Sequence, residues 1–527
     1  MTRTQVLREL GNESLWDVAV IGGGATGLGT AVEAASRGLR TVLIERSDFA
    51  KGTSSRSTKL VHGGVRYLAQ MNINLVLDAL RERGRMLRNA PHLVRNFTFV
   101  VPAYDYRSIP YYAAGLKLYE LLSGKLSLGP SKILSRQGTL ASLPGINSEG
   151  LYGGILYHDG QFDDARYAVS LLRTFQDLGG VALNYAEAAG FLREGDKLAG
   201  IVARDVESGS EFHIHAKAIV NATGVFTEQV LALDSATPAG SLLAVSQGSH
   251  VVLPRSFLPG STALMIPKTT DGRVLFAIPW HDAVIVGTTD DPVPTSCEEP
   301  RAMPSERQFI IDYVERFLGR RPLPEEVLSV WSGLRPLIKN GSGKTSKLSR
   351  DHTILVSASG LLTIAGGKWT TYRKMGEDAI DRVCSIHHLT AGKSRTAELP
   401  LHGYETGLAQ DQWETVYGSD RGALEELIAT KPHYAERIHP DLPYRMGEVV
   451  WAARFEMARS VEDVLARRTR ALFLNARAAI AAAPAVAALL GAELNRDIAW
   501  QKRDLAHFQS VAAGYVYEGD SRSSRVF

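Results

Sequence analysis

The sequence predicts an α/β protein: a Rossmann-like domain, a mixed β-sheet domain beside it and a C-terminal α-helical domain. Three observations predict it. A strand, a glycine turn, a helix and a second strand follow one another from Trp16 to Glu45; two later strands run into glycine turns at Gly224 and Gly367; and helical periodicity takes over from about Leu401.

The opening unit, WDVAVI from Trp16, is a short apolar run that ends in GGGATG and continues as the helix-like LGTAVEAASRG before TVLIE, Thr41 to Glu45. Gly22 permits the tight turn, Gly24 lets the backbone approach a pyrophosphate, and Gly27 lets helix and strand pack closely. The helix N-terminus then offers N–H groups and the positive end of its dipole to phosphates. Glu45, 18 residues beyond Gly27, is placed to accept the hydroxyls of an adenosine ribose. A glycine fingerprint alone is a weak signal, but strand, helix, second strand and acid are all present here, so dinucleotide binding is expected.

The later returns decide which dinucleotide. Ala218–Asn221 runs into Ala222-Thr223-Gly224, and LLTIA runs into Gly366-Gly367-Lys368-Trp369-Thr370 before the helical pattern TYRKMGEDAID. Strands coming back to one cofactor from so far along the chain suit a long, extended FAD better than a nicotinamide held in one compact domain. A helix starting beside Gly367 would aim its dipole at the pyrimidine end of a flavin, where negative charge builds on reduction. The segments 15–84, 162–241 and 350–390 therefore form a discontinuous FAD-binding domain. Residues 85–161 and 242–349, with runs such as HVVLP, RVLFAIPW and AVIVGTTDD, read as mixed or antiparallel sheet that holds the substrate. Residues 400–527 read as a separate helical domain.

Composition bounds the rest. At 527 residues the chain needs two or three domains, and a net charge of +3 is too small to argue for nucleic-acid binding. Cys297 and Cys384 are the only cysteines, with no metal-binding spacing, so no disulfide framework and no metal site are expected; both read as buried free thiols of a reducing compartment. Residues 1–15 carry scattered charges and no apolar core, which argues against a secretory signal and for the cytoplasm. The stretch Ala471 to Leu490 is alanine-rich but broken by Asn475, Arg477 and Pro484, and reads as a soluble helix.

The blocks TSSRSTKLVHGGVRYL, FDDARYAVSLLRTFQDLGG, IVNATGVF, GSHVVLP, GTTDD, WSGLRPL, SRDHTI and IAGGKWTTYRKMGEDA, together with the glycine fingerprint and EDVLARRTR, resemble the FAD-dependent glycerol-3-phosphate dehydrogenases of the aerobic, quinone-linked type. The likeness runs nearly end to end. It implies an FAD-binding domain of the glutathione-reductase/D-amino-acid-oxidase type. It also implies oxidation of sn-glycerol 3-phosphate to dihydroxyacetone phosphate, membrane quinone as acceptor and peripheral attachment to the inner face of the cytoplasmic membrane. A homodimer is carried as an expectation that no residue pattern tests.

By this resemblance Arg66, Tyr67, Arg335, Arg350 and Lys368 face the substrate, whose phosphate dianion needs fixed cations. Each alone would more commonly be a surface ion pair; their place on glycine-flanked loops at the cofactor returns changes that. Removing the C2 hydroxyl proton requires a base, and His250 is preferred, with Arg335 stabilising the alkoxide and His62 nearer the flavin. Arg46, Ser54, Ser55, Lys59, Gly63, Ala188, Ala222, Gly224 and Thr370 complete the expected cofactor contacts with Gly22, Gly24, Gly27, Glu45, His62, Gly367 and Lys368. Three rivals stay open: an oxidase passing electrons to oxygen, an amine or amino-acid oxidase, and a non-catalytic nucleotide-binding sensor.

Overall fold

The structure is a computed structural model that describes residues 3–11, 14–64, 73–234, 242–270, 272–339, 352–408 and 413–519. Among these residues the strands form two sheets, of eight and ten strands. Trp16–Ile21 lies in the middle of the first sheet, parallel to Glu211–Asn221 on one side and to Thr41–Ile44 on the other. Its near-continuous apolar run follows from that position, because a strand with neighbours on both edges and helices over the sheet has no wet face. Val181–Leu183 extends the sheet beyond Thr41–Ile44, and Leu362–Gly366 beyond Glu211–Asn221. The carboxyl ends of four strands, at Ile21, Ile44, Asn221 and Gly366, thus open on one side, where α/β sheets bind ligands.

Small residues set the layer over this sheet. Helix Ala25–Ser36 packs against Tyr372–His387 so closely that a Cβ on Gly376 would lie 2.7 Å from the Gly29 carbonyl oxygen. Leu28, Ala31 and Ala379 are buried between them.

The second sheet is mixed. Its long members, Leu243–Pro254 with Ser329–Ile338 and Val94–Ala103 with Gly153–Phe162, pair antiparallel, whereas Ala263–Ile266 pairs parallel with Val94–Ala103. The short strand Leu60–Val61 pairs with the end of Gly153–Phe162. Residues 53–64 therefore pass from the first sheet's open end to the second sheet, and this crossing brings their side chains between the two. The segment 85–161 is less uniformly β than its pattern suggests, because it also contains the helix Ser108–Ser123.

The C-terminal helices are not an isolated body. Val252, Trp280, Ile285 and Trp331 of the second sheet share one apolar cluster with Val464, Leu472, Phe473, Ala479 and Leu490. The run from Val461 to Ala483, helical by periodicity, is broken: a π-turn spans Asp463–Arg468, Arg470 takes φ +66°, and Asn475 caps a new helix, Ala476–Glu493, by accepting from the Ala478 amide. That helix is long and apolar enough by length and composition to cross a membrane, yet half of it is buried in this cluster. The break turns three arginines inward. Arg467 and Arg468 both reach Asp48, and Arg470 reaches Asp164.

Candidate active site

Two cavities meet at the sheets' junction. The first, about 560 Å³, follows the open carboxyl ends of the first sheet; the second, about 300 Å³, lies against the second sheet; Thr53, Pro336, Gly367, Lys368 and Trp369 line both.

The glycine turn builds one end of the larger cavity. Gly22 has φ +109°, and a Cβ there would lie 2.7 Å from the Ala222 carbonyl oxygen; at Gly27 it would lie 1.8 Å from the Gly22 carbonyl oxygen. Only hydrogen fits at either position, so turn, helix and the neighbouring strand end form one tight cradle. Gly24 precedes Ala25–Ser36 with no side chain to cap the helix, and the Ser54 hydroxyl accepts from the Ala25 amide at 2.9 Å. Glu45 lies at the same end, accepting from the Gly23 amide at 2.6 Å and the Ser47 amide at 2.8 Å. Burial nonetheless raises its pKa against those two bonds. Arg46, Ala188, Ala222 and Gly224 line the same cavity, Arg46 paired with Glu298 at 2.8 Å.

The cradle, a helix start whose N-cap glycine supplies no side chain, and a cavity within the usual 300–1,000 Å³ range fit a dinucleotide as long as FAD. Lys51, not anticipated, also lines it and pairs with Glu462 of the helical domain at 3.0 Å.

In the smaller cavity, His250 and Arg335 come together with His62, Gly64, Lys368 and Thr370. Arg335 is gripped on several sides: its guanidinium donates to Asp290 at 3.1 Å, to the Thr288 hydroxyl at 3.0 Å and to the Thr289 carbonyl at 3.0 Å. Asp290 is itself held by the Ser246 hydroxyl. Gly248 makes room, since a Cβ there would lie 2.2 Å from the Arg335 Nη2. His250 is 2 % exposed and stacks on Trp331 with ring centres 4.0 Å apart; its Nε2 is 3.0 Å from the Thr58 hydroxyl. Burial first, then the charges of Lys59 and Arg335, hold its pKa well below the ordinary imidazole range. The ring is therefore neutral near pH 7.

Several expectations need correction. Lys59 lines neither cavity: its side chain is fully buried, with Nζ 2.7 Å from Asp164 Oδ2 and 2.8 Å from the Ser55 carbonyl. Ser55 lines neither cavity: it is buried, and its carbonyl accepts from both Lys59 and Arg470. A positive φ of 64° at Lys59 points its side chain into the protein instead of along the loop. Gly63 makes its close approach to Leu80 and Tyr119, its amide donating to the Tyr119 hydroxyl at 2.7 Å; Gly64 is the glycine on the cavity. The helix expected beside Gly367 opens as a 3₁₀ turn, Trp369–Thr371, that runs directly into Tyr372–His387. Cys297 is exposed in the loop before Pro304–Leu318, and Cys384 is half-buried. Arg66, Tyr67 and Arg350 lie outside the described residues.

Asp290, Arg273, Gly248 and Trp331 join the site without being among the expected residues. GTTDD offers a signal for two of them: Asp290 holds Arg335, and Asp291 holds Arg273, another residue of the smaller cavity, through two bonds of 3.0 and 2.9 Å. Trp331 had none, because only the antiparallel register sets it opposite His250.

Residues 17–373 match the model of the FAD-dependent oxidoreductase family, and residues 394–501 match that of the C-terminal domain of alpha-glycerophosphate oxidase. The mitochondrial glycerol-3-phosphate dehydrogenase of Homo sapiens is 39% identical over 540 residues, spanning 94% of this chain and 73% of that protein. The corresponding protein of Schizosaccharomyces pombe is 36% identical over 565 residues, spanning 94% and 87%. The crystal structure of glycerol-3-phosphate dehydrogenase from Bacillus halodurans, complexed with FAD, superposes with a TM-score of 0.79 at 28% identity, covering 98% of this chain and 97% of that one.

Proposed function

The chain belongs to the FAD-dependent glycerol-3-phosphate dehydrogenases, and from that membership we propose that the junction of its two cavities is where sn-glycerol 3-phosphate is oxidised to dihydroxyacetone phosphate. FAD, when bound in the larger cavity, supplies the ring that accepts the hydride from C2. The observation that carries the proposed site is the convergence of His250, Arg335 and Lys368 in one small cavity that shares a wall with the larger one.

The geometry supports the following roles. His250 Nε2, on the side of Thr58, receives the C2 hydroxyl proton; a buried, neutral imidazole is the working form of a base. Arg335 presents a guanidinium already fixed by Asp290 and Thr288, so little ordering is needed when negative charge develops on the C2 oxygen. Lys368, at the shared wall, serves the phosphate together with Arg66 and Arg350, which the described residues leave aside. Arg335 is partly shielded from solvent, so its charge acts more strongly there than it would in bulk water.

The acceptor we infer is membrane quinone, reached by peripheral attachment. The helix Ser108–Ser123 supports attachment: Tyr111 is 67% and Leu121 66% exposed on it, with Tyr106, Ile133 and Tyr152 exposed nearby and Arg107, Lys117 and Lys132 alongside. Aromatic and aliphatic tips interleaved with cations suit a lipid surface. The oxidase-type match of residues 394–501 keeps oxygen as the second reading.

Anaerobic addition of sn-glycerol 3-phosphate to the yellow protein should bleach its flavin absorbance, and an unchanged spectrum would sink the reaction assigned here. Replacing His250 by Asn should slow that bleaching by about 10²–10⁴-fold in a stopped-flow trace. Reduction of a quinone analogue measured against peroxide yield separates the two acceptors.

A further inference from the structure

Lys59 is a buried charge behind the reaction site that no role yet accounts for. It follows Thr58, whose hydroxyl meets His250 Nε2, and its own side chain passes behind the cavity wall. There its Nζ lies 4.7 Å from the centre of the Trp331 ring, the indole on which His250 is stacked at 4.0 Å. One aromatic ring thus carries the imidazole of the site and an ammonium that never touches the site.

The arrangement is built from distant parts of the chain. Asp164, at the start of helix Asp164–Asp177, accepts from Lys59 Nζ, from the Ser57 amide and hydroxyl and from Arg470. Arg470 also donates to the Ser55 carbonyl, and its Nε lies 3.4 Å from Asp163. His250 is confined on another side by Gly287, where a Cβ would lie 2.3 Å from its ring, and its Nδ1 has no hydrogen-bond partner among the described residues. Facing this assembly are the cations Lys59, Arg470 and Arg335 and the carboxylates Asp164, Asp163 and Asp290.

We propose that Lys59 is a positioning residue for the oxidation: its charge, fixed by Asp164 and the Ser55 carbonyl beneath the Trp331 indole, keeps the His250 imidazole uncharged and seated to accept the substrate proton. A cation close to an imidazole disfavours its protonated form. Burial, opposed by Asp164 and reinforced by Arg470, brings the Lys59 ammonium down to about 7. The positive charge is therefore present on the acid side of neutrality, where an ordinary imidazole takes up its proton. The inference rests on the reading of His250 as the base, and its test separates the two.

In FAD-loaded protein carrying ¹⁵N-histidine, with the His250 signals assigned by their loss in His250→Asn, the imidazole should stay neutral down to well below pH 6.5. In Lys59→Met it should titrate at least about one unit higher, and the acid limb of the anaerobic flavin-reduction rate should move by the same amount. Lys59→Arg, which keeps the charge, should restore both. Should Lys59→Met fail to fold because Asp164 is left buried and unpaired, the double variant Lys59→Met/Asp164→Asn removes both partners. An unshifted His250 titration in folded Lys59→Met, or in the double variant measured against Asp164→Asn alone, overturns the proposal. A shifted titration with an unmoved acid limb upholds the electrostatic role of Lys59 and sinks His250 as the base.

Discussion

Arg335 shows how much of a functional side chain's behaviour is set by its neighbours. Its fork is matched by Asp290, Thr288 and Thr289, and its seat is vacated by Gly248. Lysine would keep the charge but lose the fork. Hydrogen bonds to charged groups contribute about 1.5–3 kcal/mol each, so Arg335→Lys should lower kcat/KM for sn-glycerol 3-phosphate by roughly 10–100-fold, with the flavin spectrum unchanged. Equal kcat/KM in the variant would remove Arg335 from the site. The residue itself is legible in the sequence, because a guanidinium directly before a proline and two residues after a glycine, in SGLRPL, has an unusual setting. Its clamps are not, since Asp290 lies 45 residues away, in the link between two strands that share only the neighbour Leu243–Pro254 with the strand of Arg335. Lys59 is the opposite case. The sequence draws it to the cofactor because it follows two serines near a glycine pair, whereas a positive φ and a carboxylate 105 residues on carry it inward.

At the scale of elements, the glycine turn and the helix after it are nearly self-explanatory. Gly22 and Gly27 are required by contacts within the unit and with the adjoining strand end, so a local pattern reports them faithfully. Helix Ser108–Ser123 is harder to read, since only Leu116, Tyr119 and Ser123 of its sixteen residues are buried and its apolar residues face outward as well as inward. That outward face carries a prediction of its own. Leu121→Glu should weaken co-sedimentation with anionic lipid vesicles at low salt by about tenfold, the equivalent of some 1.4 kcal/mol, and leave anaerobic flavin reduction intact. Vesicle binding unaltered by the change would place attachment elsewhere.

Across the whole molecule, buried charge ties the first sheet's layer to the C-terminal helices. Asp48 of the first domain holds Arg467 at 2.5 Å and Arg468 at 2.8 Å from the helical domain, and Arg166 meets Glu456 through two bonds of 2.8 Å. Such pairs cost much to desolvate and more to leave half-made, so they fix how the domains dock. One buried carboxyl works against stability. Burial pushes Glu448 up to about 8, although it accepts from the Arg445 amide and the Tyr417 hydroxyl. The native state thus keeps a proton that the unfolded chain has released above pH 4.5, and stability falls as pH rises through that window. Glu448→Gln should flatten this fall, raising the thermal midpoint at pH 8 by roughly 2–4 °C for each kcal/mol recovered while changing little at pH 4. Parallel midpoint curves for the two proteins would contradict it.

What the chain's order of residues establishes here is local: the strand–turn–helix that cradles a dinucleotide, the glycine-flanked cations, and the family to which these blocks belong. Each depends on neighbours a few residues apart, where backbone geometry leaves few choices. The docking of the π-turn arginines, the Asp290 clamp and the pairing of Lys59 with Asp164 behind Trp331 depend on register and on partners up to 420 residues distant. Such contacts exist only once the sheets have closed against each other, because a buried charge takes whichever counter-charge the packing delivers.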